Sequence, residues 1–207
     1  MENKIIPIFP AFFFPNVEYF MNLRKFDTLS IEIYENFPKQ TFRNRTYILS
    51  ANGVLSINVP LTKKTSIKQK TSEIRISYTD NWDMKAWRTI TSAYGKSIYF
   101  EYFEDDIKQF FTNKYEKLID LNLDILFYFM NKFDIKSKIE FTQNYNIINQ
   151  DYDFRNKFFI NNKEKKSNLK FSPYIQCFSE KFPFRENLSC IDLLMNTGKE
   201  SNLIINF

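Results

Sequence analysis

The residues best equipped for chemistry sit first between Glu35 and Arg45. In the run Glu35-Asn36-Phe37-Pro38-Lys39-Gln40-Thr41-Phe42-Arg43-Asn44-Arg45, the last seven residues place three cations and two amides close behind a carboxylate. Read as part of a strand over Thr41–Ser50, it puts Arg43 and Arg45 on one face, since strand side chains alternate. They would stand about 7 Å apart, close enough to grip one phosphate or a carboxylate pair through charge-assisted hydrogen bonds. Lys39 adds charge, Gln40 and Asn44 would orient the ligand, and Glu35 is the leading general-base candidate. The competing reading is a solvated strand edge, with Asn44 and Arg45 fixing the preceding turn.

A second group lies between Trp82 and Gly95. Lys85, Arg88, Ser92 and Lys96 recur at helical spacing, so they share one face, while Trp87, Ile90 and Tyr94 share another. The basic face would complete the anion site, with Lys85, Arg88 and Tyr94 as ligand contacts. The plainer reading is a surface helix with its aromatic side in the core. Glu101, Glu104, Asp105 and Asp106 could hold a metal or act as acid and base, but Asp105 and its neighbours also suit the start of a helix. Cys177 has no histidine to activate it.

Composition removes whole classes of enzyme. The 207 residues include no histidine, which excludes Ser-His and Cys-His nucleophilic pairs and histidine-bound metals. Three glycines cannot build a glycine-rich phosphate loop, and two cysteines cannot make a zinc site alone. The abundance of Phe and Tyr (24 and 12) against so few glycines points to an AT-rich genome, so lysine content by itself does not argue for a partner. The net charge is +5, with the basic excess between Ala51 and Phe100. That asymmetry fits an anionic small molecule or a carrier-linked sugar. Nucleic acid ranks behind these, because no RNA or DNA recognition motif is present. The N-terminal residues do not read as a signal peptide, and no window is long and apolar enough to span a bilayer. With two unpatterned cysteines, the chain is expected in the cytoplasm.

The elements that must position these residues follow from periodicity. Residues 5–15 are punctuated by Pro7, Pro10 and Pro15 and read as an edge strand or loop. Asn16 suits the N-cap of a helix to about Lys25. Thr28–Tyr34, Thr41–Ser50, Val54–Pro60 and Glu73–Tyr78 read as strands, and Asn52-Gly53 is the strongest hairpin signal. Helices are expected over Trp82–Tyr94 with Asp80 as cap, about Asp105–Thr112, Tyr115–Phe133, and Leu188–Asn196. Leu118, Leu121, Ile125 and Phe129 form a core stripe in the third of these. Ser137–Thr142 reads as a further strand. Residues 144–170, poor in aliphatics and rich in Asn and Lys, read as a mobile insertion. Strands early and helices late imply an α+β fold: a small, mostly antiparallel sheet from the N-terminal half packed on helices from the C-terminal half. The length suits one domain over 1–207.

Several stretches resemble the WbqC-like family, bacterial proteins associated with cell-surface polysaccharide gene clusters. These are Pro10 through Phe20, Glu35 through Arg45 with Gly53 and Val59-Pro60, and Trp82 through Phe103. A weaker match covers Tyr174-Ile175-Gln176-Cys177-Phe178 and Asn187 through Leu194. The resemblance implies a role in polysaccharide assembly, as a transferase-type enzyme on an activated sugar or carrier-linked intermediate, or as a non-catalytic assembly protein. It names no cofactor. Where many relatives carry histidine, this chain has Ala86 and Phe182.

Overall fold

The computed structural model describes residues 5–62, 68–158, 167 and 169–206. The chain opens with a β-α-β unit. Strand β1 (Ile8–Pro10) is bracketed by Pro7 and Pro10, so only Ile8 and Phe9 have N–H groups to pair. Helix α1 (Val17–Leu23) follows, with Asn16 accepting from the Tyr19 N–H as its cap. Strand β2 (Thr28–Glu32) then returns parallel to β1, pairing Ser30 with Ile8 and Glu32 with Pro10. Parallel pairing requires such a crossover. On the far side of β1, Ile8 bridges to Asp153 in parallel. The proline-punctuated segment is therefore a very short edge strand, as its prolines imply, with one isolated bridge on its outer side.

Strand β5 (Lys138–Phe141) pairs parallel with β2, giving the order β1-β2-β5. The α+β class holds, with strands mostly early and helices mostly late. The expected antiparallel character does not extend to this sheet, which is parallel throughout. The antiparallel ladder is a separate hairpin of β3 (Arg45–Ser50) and β4 (Gly53–Asn58). Ala51 and Asn52 form its tip, and Gly53 takes a φ of +101°, a conformation that favours glycine. β3 begins at Arg45, so Arg43 precedes the strand.

The expected strand over Glu73–Tyr78 is absent. A 3₁₀ turn at Thr71–Glu73 leads into single bridges, Ile76 to Leu61 and Arg75 to Lys117. Helix α2 spans Trp82–Tyr94, but its cap is Asn81 in a left-handed conformation (φ +47°), not Asp80. Helix α3 (Phe100–Thr112) starts earlier than periodicity suggested, which places Asp105 inside it. Helix α4 (Leu118–Lys132) buries Leu118, Leu121, Ile125 and Phe129 as expected. Helix α5 (Cys190–Thr197), capped by Ser189, and the short α6 (Ser201–Ile204) close the fold.

Aromatic rings make much of the core. Phe12, Phe13 and Phe14 are all buried, and Phe14 stacks on Phe111 from α3 at 5.7 Å. Each ring so buried contributes roughly 1.5–3 kcal/mol. Within 144–170, residues 159–166 and 168 lie outside the described residues. In the preceding part Phe154 stacks on Phe9 at 4.2 Å, and Phe154, Arg155 and Phe158 are buried.

Candidate functional site

Glu35 follows β2, and Arg43 precedes β3. The loop between them folds the two side chains onto each other in the interior. Arg43 donates from Nε to Glu35 Oε1 at 2.6 Å and from Nη2 to Oε2 at 2.8 Å. Both carboxylate oxygens are thereby occupied, and Arg43 is 1% exposed. Arg43 Nη2 also donates to the Arg155 carbonyl, and its guanidinium lies 5.6 Å from the Phe12 ring centre. A second buried pair sits beside it: Arg155 Nη1 donates to Glu32 Oε2 at 2.9 Å, while its other nitrogens reach Asp153. Asn122 on α4 donates to the carbonyls of Ala11 and Arg43, tying the helix to both loops. Burial pushes the Glu35 carboxyl upward against the pull of Arg43. Buried and with both oxygens bonded to Arg43, Glu35 is placed to hold the loop and not to face an open site, unlike the general base expected of it.

The arginine clamp does not form. Arg43 turns inward, whereas Arg45 emerges on the hairpin and donates to the Asn58 side chain across the ladder. The misreading came from extending β3 back to Thr41. Lys39 and Gln40 are exposed on the loop, with Gln40 in a left-handed conformation (φ +55°). Asn44 donates to the Val59 carbonyl at 3.0 Å and fastens the end of β4.

Tyr94 is also structural. It is fully buried, donates to Asp192 Oδ1 at 2.9 Å and accepts from the Leu49 N–H. Asp192 further accepts from the Tyr174 hydroxyl at 2.7 Å and the Gln176 amide at 2.7 Å. Three separate stretches of chain thus converge on one buried carboxylate, whose pKa is raised by burial. Sequence reasoning did not single Asp192 out as a site residue. The signal was its company: an aspartate among Cys190, Ile191, Leu193 and Leu194 has no polar face to occupy. Nearby, burial and then Asp192 push the Cys177 thiol up to about 11, which disfavours a nucleophilic thiolate.

Lys85 and Arg88 are exposed on α2. Lys85 lines a groove of about 260 Å³ between α2 and β4, with Trp82, Ala86 and Thr89 on the helix side and Leu55, Ser56, Ile57 and Asn58 on the strand side. Arg45 reaches this groove through Asn58, and Arg88 lies one turn along from Lys85. Among the described residues none of Arg45, Lys85 and Arg88 is paired with a carboxylate. The structure therefore places Lys85 in the groove and Arg45 against its Asn58 wall, and separates both from Glu35, Arg43 and Tyr94. In the acidic cluster, Asp106 pairs with Lys132 and accepts from Tyr128. Among the described residues no group of three or more Cys, Asp or Glu side chains is placed to hold a metal ion. No helix among them is long and apolar enough to cross a membrane.

No curated protein and no solved structure matches the chain. The model of the WbqC-like protein family matches residues 11–160, a span holding the buried Glu35–Arg43 pair, the β3–β4 hairpin and helix α2. The chain belongs to the WbqC-like protein family.

Proposed function

We propose that this chain serves cell-surface polysaccharide assembly by holding an anionic activated sugar, or a carrier-linked sugar, in the groove between β4 and α2. The supporting observation is the pair of cations at that groove, Lys85 in its lining and Arg45 bonded to its Asn58, neither of which has a carboxylate partner among the described residues. Unpaired cations beside a concave surface favour an anion. Ser56, Asn58 and Thr89 add short polar contacts, and Trp82 supplies an apolar wall. At about 260 Å³ the groove lies below the ~300–1,000 Å³ usual for whole ligands. It suits the phosphate-bearing end of such a molecule, with the sugar extending beyond it. Titration with a panel of nucleoside-diphosphate sugars tests this. Binding that weakens at least tenfold in Arg45→Ala with Lys85→Ala supports the reading, and absence of binding across the panel overturns it.

A second reading, that of a non-catalytic assembly protein, is favoured by what the groove lacks. No carboxylate and no cysteine lines it, so a transferase step there would have only Lys85 for proton transfer. Exposed apolar side chains lie on its elements: Val54 and Leu55 on β4 and Met84 on α2. Such surface marks contact with other macromolecules.

A further inference from the structure

Strand β4 has an open edge. On β3, the Leu49 N–H goes to the Tyr94 hydroxyl and the Tyr47 carbonyl accepts from the Ser189 N–H. At positions 47 and 49 the backbone polar groups therefore turn away from β4. The register pairs Tyr47 with Ser56 and Leu49 with Val54. Antiparallel ladders alternate bonded and non-bonded pairs, so Val54, Ser56 and Asn58 turn their N–H and C=O groups away from β3. Those groups have no backbone partner among the described residues.

Edges of this kind pair with other chains unless they are protected by lysine, proline or inward charge. Gly53-Val54-Leu55-Ser56-Ile57-Asn58 carries none of these. Val54 is 50% exposed and Leu55 41%. The groove beside this edge has α2 as its opposite wall. A strand edge facing a helix across a shallow groove is the geometry in which an extended peptide adds as a strand and lays alternate side chains into the cleft. The small, elongated space that falls short of a whole ligand suits such side chains.

We propose that the outer edge of β4 takes up an extended, acidic segment of a partner protein as an added strand. Its apolar side chains enter the groove against Trp82 and Ala86, and its carboxylates meet Arg45 and Lys85. The inference rests on the assembly reading of the groove and supplies the chemistry of the partner. Charge decides between occupants. A second copy would bring the same two cations against themselves, whereas an acidic strand neutralises them.

The probe is a fluorescein-labelled peptide of four Val-Glu repeats, with two controls: the same peptide N-methylated at alternate residues, and a Val-Lys peptide. In the free protein the amides of Val54, Ser56 and Asn58 are expected to exchange with solvent rapidly, while those of Leu55 and Ile57 are protected. The Val-Glu peptide should slow the first three at least tenfold. Both controls should bind at least tenfold more weakly. Ser56→Pro removes an outward N–H without touching the β3 ladder and should weaken Val-Glu binding at least tenfold. If that variant does not fold, Arg45→Glu with Lys85→Glu should reverse the preference to the Val-Lys peptide. Equal binding of the N-methylated peptide, no protection at 54, 56 and 58, or no binding of Val-Glu overturns the proposal. Protection of those amides that grows with protein concentration alone also overturns it, and assigns the edge to a second copy. Nucleoside-diphosphate sugar binding without peptide binding overturns this inference but leaves the anion site standing, and the converse result reverses that outcome.

Discussion

Arg43 and Arg45 stand two residues apart and meet opposite surroundings. Arg43 is sealed in the core with both oxygens of Glu35 on its guanidinium. Arg45 lies on the hairpin, shares Asn58 across the ladder, and keeps its charge without a carboxylate. The contrast extends to whole regions. At the ends of β1 and β2, two arginines, Arg43 and Arg155, are bonded to three acids, Glu32, Glu35 and Asp153, in one network. At the groove between β4 and α2, Arg45 and Lys85 have no carboxylate partner among the described residues. Charge in the first region organises the fold, because a buried ion taken from its partner is strongly unfavourable. Charge in the second has little to do with stability, because exposed ions are well solvated. Residue type alone does not separate binding from structure here; the number of bonds already made does.

Removing one half of a sealed pair should give the largest effect. Arg43→Ala leaves the Glu35 carboxylate buried and unpaired, and should lower stability by about 3–5 kcal/mol in urea unfolding. Arg155→Ala should act similarly through Glu32. If Arg43→Ala unfolds at the same urea concentration as the parent, the two regions do not differ in the way described. Asn122→Leu is next. It strips the Ala11 and Arg43 carbonyls of a buried donor and should lower stability by about 1–3 kcal/mol.

A pH comparison sharpens the picture at the other buried acid. Burial holds the Asp192 pKa above its ordinary value, so the folded protein keeps that proton more tightly than the unfolded chain. The contribution of this group to stability is therefore greatest at low pH and declines as pH rises through the folded pKa. Asp192→Asn should flatten that decline in thermal unfolding measured across pH 4–8. A parent and variant with parallel pH curves would contradict it. The smallest stability effect belongs to the open region: Arg45→Ala should change stability by less than about 1 kcal/mol.

Much of the scaffold was legible. Asn16 as a cap, the hairpin at Gly53, the α2 span and the Leu118–Phe129 stripe all follow from local spacing. The parallel sheet was not, because β1 has only two residues between prolines and β5 pairs with β2 from more than 100 residues away. Local patterns carry no information about such partners. The Glu35–Arg43 pair was hidden for a different reason. Alternation placed Arg43 and Arg45 on one face only if the strand began before Arg43, and it begins at Arg45. Lys85 and Arg88 lie exposed on α2, as helical spacing implies. Tyr94 went astray because its hydroxyl serves Asp192, almost a hundred residues further on.

The division between a sealed arginine and an open one is tested most directly by one titration, in which nucleoside-diphosphate sugars are added to the parent and to Arg45→Ala with Lys85→Ala, and unfolding is followed on the same samples. The prediction is at least tenfold weaker binding, about 1.4 kcal/mol, with the unfolding midpoint unchanged. Undiminished binding in the double variant would contradict it.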